Sequence, residues 1–236
     1  MRAGRTVAVG VGRLAPTQLA RRWLGAVIVL LGAIAVCRAN PDLDRVVELA
    51  LKRYGVHAAE TLDTWRALVE TNRDLPERDK LELVNEFFNA NVDFVPDTRA
   101  WGATDYWATP LETLGRGMGD CEDFSIGKYV TLGLMGVPIE RLRITYVRAE
   151  TGGPGGGIVQ AHMVLAYYPE PGAEPLVLDN LIGELRPASR RPDLKPVFGF
   201  NSQGLWVAGK KALADPTARL SRWRDLLRRM NQEGLN

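Results

Sequence analysis

The sequence predicts an α+β protein in which N-terminal helices pack on an antiparallel sheet. Apolar residues recur at helical spacing through residues 41–92 and again after Cys121. Later segments, 142–147, 158–168 and 197–207, alternate apolar and polar with period two and are separated by Gly- and Pro-rich turns. A continuous chain of this pattern, with no internal repeat and no low-complexity linker, reads as one domain over residues 40–236.

Residues 1–39 stand apart. They hold six arginines and no acidic residue, followed by an apolar run from Trp23 to Cys37. That run is short for a membrane span of about 20 residues and leads to Cys37-Arg38-Ala39, a small-residue cleavage site. The segment reads as a signal peptide or, if uncut, an N-terminal anchor, and it places the mature chain in the periplasm. The formal charge of +2 includes those six arginines; 24 basic against 28 acidic residues remain, about −4. Nucleic acid is therefore not an expected partner.

In the first helical region, Leu43, Val46, Val47 and Leu51 form one face, followed by Leu62, Trp65 and Leu68, then Leu81, Leu83, Val84, Phe87 and Phe88. These are packing positions. His57, beside Tyr54-Gly55 at a helix connection, reads as a surface or satisfied histidine. From Asn91 to Trp107 the chain is irregular and aromatic, and it either lines a groove or tucks over the core.

Gly119-Asp120-Cys121-Glu122-Asp123-Phe124 follows a Pro-started helical segment, Thr109 to Leu114, and glycines 115, 117 and 119 that let the chain turn. Ile126, Tyr129, Val130 and Leu134 then recur at helical spacing, which puts Cys121 in the first turn of a buried helix. Free N–H groups and the helix dipole stabilise a thiolate there. Of two cysteines Cys121 alone lies outside the leader, so it has no disulfide partner within the mature chain. Two histidines with no C-x-x-C or H-E-x-x-H exclude a standard zinc site.

Gly136-Val137-Pro138 stops the Cys121 helix, and a strand follows over Leu142–Val147. Gly152 to Gly157 is a flexible hairpin connection or a flap. In the next strand Val159, Ala161, Met163, Leu165 and Tyr167 share one face, and His162 lies on the less apolar one with Gln160 and Val164. A hairpin tip at Pro169-Glu170-Pro171-Gly172 would set residue 162 opposite Asp179. Cys121, His162 and Asp179 then supply a nucleophile, a base and an orienter from three elements. A hairpin turns at Asn201-Ser202-Gln203-Gly204, and Pro216 to Asn231 reads as one basic amphipathic helix with Leu220, Trp223, Leu226, Leu227 and Met230 inward. Its arginines face solvent, anionic lipid or an acidic receptor.

The run Trp107-Ala108-Thr109-Pro110-Leu111-Glu112-Thr113-Leu114, the Asp120-Cys121-Glu122-Asp123 block, Lys128-Tyr129, Ala161-His162-Met163-Val164-Leu165 and Leu178-Asp179-Asn180 together resemble the bacterial transglutaminase-like cysteine proteinases, the LapG-type periplasmic proteases. The likeness spans most of residues 40–210. It implies a papain-like, transglutaminase-like fold and a calcium-dependent endopeptidase. That enzyme would clip the N-terminal region of a large RTX-type surface adhesin near a di-alanine site, releasing biofilm cells. A LapD-like inner-membrane cyclic di-GMP receptor is the implied binding partner. By resemblance the calcium ligands are Asp120 and Glu122, and Asp123 is the third. Ca2+ would also resolve a physical conflict, since three carboxylates around Cys121 raise its pKa by repulsion. Two side chains cannot fill a calcium shell, so backbone and water must contribute. Spacing alone reads as an N-cap Asp and an acidic helix first turn; the resemblance is what points to the metal. A non-catalytic calcium-binding module that captures the adhesin or receptor, and a transglutaminase transferring acyl groups to amines, are the alternatives.

Overall fold

A computed structural model describes Gly4 and residues 41–152, 157–207, 210–212 and 215–235. The leader expected over residues 1–39, Gly4 apart, the expected cut before Asn40 and the centre of the glycine run lie outside these.

Three helices open the domain: α1 (Leu43–Tyr54), α2 (Val56–Thr71) and α3 (Glu77–Asn91). Asp42 caps α1 by accepting from the Arg45 N–H at 3.0 Å, and Gly55, at φ +93°, lets the chain reverse into α2. The inward stripe of α1 is Leu43, Val46 and Ala50, whereas Leu51 is exposed. The small alanine, at helical spacing from Val46, takes the core position. In α2 Leu62, Trp65 and Val69 are buried, and in α3 Leu81, Val84, Phe87 and Phe88. His57 is solvent-exposed in the first turn of α2, as its sequence context indicates.

The aromatic segment contains β1 (Asp93–Phe94) and the single turn α4 (Asp97–Ala100). Next comes α5 (Pro110–Arg116), started by a capping box between Thr109 and Glu112. Strand β2 (Met118–Gly119) pairs in parallel with β1. Of the three glycines around it, only Gly117, at φ +64°, is a turn residue. Gly115 and Gly119 are small for another reason: a Cβ at Gly115 would enter the Tyr54 ring, and one at Gly119 would come 2.6 Å from Asp123 Oδ2.

Helix α6 (Cys121–Leu134) is buried along most of its length, including Phe124, Ile126, Tyr129 and Leu132. It lies between the helices and the sheet. Gly127 lets Phe88 of α3 press against it, and Trp65 of α2 donates to Thr131 Oγ1 at 2.8 Å.

The antiparallel sheet has the order β6-β5-β4-β3-β7-β8-β9 among the described residues. Its strands are β3 (Leu142–Thr151), β4 (Ile158–Tyr167), β5 (Leu176–Leu178), β6 (Arg186–Pro187), β7 (Leu194–Asn201), β8 (Gly204–Val207) and β9 (Lys210–Ala212). Leu142, Ile144, Met163, Leu165 and Phe200 join the main core with the helices. Val147, Ala149, Val164, Val177 and Leu194 form a second, smaller cluster. The side that includes His162 is therefore not a solvent side.

The C-terminal segment is two helices, not one: α7 (Pro216–Arg219) and α8 (Ser221–Glu233). Leu220 breaks the helical path with φ −109° and ψ 97°. Trp223, Leu226 and Met230 of α8 are buried in the main core. Arg229 is not on a solvated face either: it donates to Glu112 and to the Trp107 carbonyl. No helix among the described residues is long and apolar enough to cross a membrane.

Candidate active site

Cys121 is the first residue of α6, capped by Asp120, and half-buried. Helix geometry leaves first-turn N–H groups of α6 without intrahelical acceptors. The Cys121 Sγ donates to Glu122 Oε2 at 3.0 Å. Burial pushes the thiol pKa up, and Glu122 and Asp120 push it further, while the Met163 N–H opposes them. Desolvation and repulsion from these carboxylates thus hold the thiol well above its ordinary value.

His162 lies on β4 and is 3% exposed. Its Nε2 meets Asp179 Oδ1 at 2.8 Å. The register that brings them together differs from the simple hairpin: Leu165 faces Leu178 and Tyr167 faces Leu176, so the connection runs from Tyr168 to Pro175. That shift of two residues preserves the alternation of the strand, so Asp179 remains on the His162 side. Burial raises the Asp179 pKa, but His162, the Leu181 N–H and Arg191 outweigh it and hold this carboxyl at about 2.

Cys121 and His162 open into one cavity of about 530 Å³. Phe94, Trp107, Tyr146, Phe198 and Leu220 give it apolar walls, so the aromatic segment does contribute to a groove. Trp107 is stacked on Phe200 and held at its carbonyl by Arg229. At the other end of the cavity the walls are acidic.

That acidic end is wider than the block around Cys121. Carboxylate oxygens of Asp97, Asp105 and Glu122 lie within 4.8 Å of one another, as do those of Asp97, Asp120 and Asp123. Buried Oδ1 atoms of Asp97 and Asp120 have no hydrogen-bond partner among the described residues. Desolvation raises Asp97 to about 6 and Asp120 to about 8, and it raises Glu122 as well. An oxygen-only donor set with orphaned acceptors fits a hard divalent cation. Asp123 differs from the others. It is fully buried, and its oxygens accept from the N–H groups of Ala108 (2.7 Å), Asp120 (3.3 Å) and the Trp101 indole (3.4 Å). Those bonds make it the tie between α6 and the aromatic segment. Asp97 and Asp105 escape a reading based on spacing because they come from the single turn α4 and the irregular chain after it, 15 or more residues upstream; clustering of Asp in residues 93–105 is their only trace.

Residues 57–192 match the family model described as bacterial transglutaminase-like cysteine proteinase BTLCP. Among solved structures, the chain is similar to LapG of Legionella pneumophila, with 40% identity, a TM-score of 0.69 and coverage of 80% of this chain and 97% of that one. It is equally similar to the EGTA-treated form of that protein (40% identity, TM-score 0.69, with the same coverage). The calcium-bound form matches with 40% identity, a TM-score of 0.68 and coverage of 80% and 98%. Among curated proteins none matches.

Proposed function

Because the chain belongs to the bacterial transglutaminase-like cysteine proteinases, we propose that it is a calcium-dependent periplasmic endopeptidase with Cys121, His162 and Asp179 as its catalytic triad. Its substrate would be the N-terminal region of a large RTX-type surface adhesin, cut near a di-alanine site so that biofilm cells are released. A LapD-like inner-membrane cyclic di-GMP receptor would hold it in check. The observation that carries the catalytic reading is the buried His162–Asp179 bond of 2.8 Å beside a cavity that Cys121 also lines.

With Nε2–H donated to Asp179, the His162 Nδ1 is the nitrogen left to act as a base. It takes the Cys121 proton as Sγ bonds to the substrate carbonyl carbon, and the Cys121 N–H helps to hold the resulting oxyanion. His162 then returns the proton to the departing amine as the C–N bond breaks. Water attacks the thioester with the same histidine as base and frees Cys121. Asp179 keeps the ring oriented and supports its positive charge throughout.

Asp97, Asp105, Asp120 and Glu122 are the residues that would hold calcium, with backbone and water completing the shell. Bound there, the ion offsets the carboxylate charge beside the thiol. Asp123, expected from the resemblance as a third ligand, lies in the same cluster as Asp97 and Asp120, but its hydrogen bonds to Ala108 and Trp101 favour a structural role in tying the aromatic segment to α6.

The test is incubation of the purified protein with the N-terminal segment of a large adhesin from the same genome, read by gel and intact mass. Two fragments joined at a di-alanine site are expected with calcium and none with Cys121→Ala. An uncut adhesin segment under these conditions would remove the adhesin assignment.

A further inference from the structure

We propose that Arg191 is a positioning residue for the Asp179–His162 pair, fixing the carboxylate from behind so that Oδ1 stays aimed at the imidazole. This rests on the catalytic reading of Cys121, His162 and Asp179. Arg191 is 2% exposed and donates from Nη2 to Asp179 Oδ2 at 2.7 Å. Oδ1 of the same carboxylate meets His162 Nε2 and accepts from the Leu181 N–H at 3.1 Å. With both oxygens anchored, the carboxylate plane cannot rotate about its last bond. A carboxylate held at one oxygen alone keeps that freedom, and the imidazole would follow it.

Arg191 is itself fixed. Its Nε lies 3.0 and 3.2 Å from the two Asp193 oxygens and its Nη2 2.8 Å from Oδ2, and its N–H bonds to the Ala188 carbonyl at 3.0 Å. Sharing the guanidinium with Asp193 has an electrostatic result. The cation is divided between two carboxylates, so Asp179 is oriented without losing the negative charge that an imidazolium needs. The main chain is held as well. Asn89 donates to the Asp179 carbonyl at 2.9 Å, and its own oxygen accepts from Lys128 of α6 at 2.8 Å. The helix that carries the nucleophile and the residue that orients the base thus belong to one buried polar network.

The test compares Arg191→Lys, Asp179→Asn and the double variant of the full mature chain, calcium-loaded, on the adhesin N-terminal segment. Arg191→Lys keeps the charge but cannot grip Asp179 and Asp193 together. The expected result is kcat lower by about tenfold or more with KM within about twofold. In the Asp179→Asn background the same change should alter kcat by less than about twofold, because there is no longer a carboxylate to aim. An equal fall in both backgrounds, or unchanged kcat in a folded Arg191→Lys, overturns the proposal. Should Arg191→Lys not fold, Arg191→Gln takes its place in the same two backgrounds, with the same fall in kcat expected and an unchanged kcat again fatal. Full activity in Asp179→Asn would remove the triad itself. A crippled Asp179→Asn beside a fully active Arg191→Lys removes only the role of Arg191.

Discussion

Asp179 reaches His162 diagonally across the β4–β5 pair. Leu178 faces Leu165, so the position across from Asp179 is that of Val164, two residues from His162, yet Oδ1 and Nε2 are 2.8 Å apart. Diagonal neighbours on one face of a sheet are within reach of longer side chains. The pair is also tightly specified, because a one-residue slip would send Asp179 to the other face.

Replacing Asp179 by Asn keeps the shape but removes the charge and favours the wrong imidazole tautomer. kcat should fall by about 10³- to 10⁴-fold with secondary structure retained by circular dichroism, and Cys121→Ala or His162→Ala should abolish cleavage. A folded Cys121→Ala that still cuts would end the protease mechanism.

Calcium uptake by the chelator-stripped protein, followed by calorimetry, separates the acidic residues. Asp97→Asn, Asp120→Ala and Glu122→Ala should each weaken it, and magnesium should substitute poorly because it demands a tighter octahedral shell. Asp123→Ala is expected to act on stability instead, by about 1–3 kcal/mol, since it strands buried N–H donors. Unchanged uptake in Asp97→Asn and Glu122→Ala would reduce the cluster to helix capping.

The same carboxylates make the calcium-free protein sensitive to alkali. Folded Asp97 titrates at about 6 and Asp120 and Asp123 at about 8, all above the ordinary 3.8. Between those values the folded chain holds protons that the unfolded chain has released, so stability present at low pH is lost as the pH rises towards 8. In EGTA the thermal midpoint should drop from pH 5 to pH 8, and calcium should flatten that slope. Parallel pH profiles with and without calcium would contradict this.

Gly127→Ala tests the seat of α6. A methyl group there enters the Phe88 ring, so α6 must shift or Phe88 must leave its rotamer, at a cost of about 1–3 kcal/mol. Activity should fall along with the denaturation midpoint; a variant as stable as the parent would mean the contact relaxes freely.

Much of this is legible in the chain. Leu43, Val46, Leu62 and Trp65 face inward as their spacing says, and the Cys121 block announces a helix start with its own charges. Asp179 is found by a register that is off by two, because the Tyr168–Pro175 connection is wider than a tight turn, and only the period of two keeps the right residue in view. Asp97, Asp105 and Arg191 are invisible for a different reason: single turns and irregular chain set their positions, and no periodicity encodes them. Leu220 misleads in the opposite way, since an apolar residue at helical spacing here occupies a break and lines the cavity.

Trp223 wedges between Phe200 and Tyr129, with ring centroids 5.2 and 5.8 Å away, and Arg229 of the same helix pins the carbonyl of Trp107. Translation delivers these two residues after every part they lock together. A nascent chain can already contain Cys121, His162 and Asp179 while the cavity wall at Trp107 still lacks its anchor. The wall at Trp107 therefore gains its anchor only when the last of the described helices docks, so the end of the chain sets when this part of the cavity closes up.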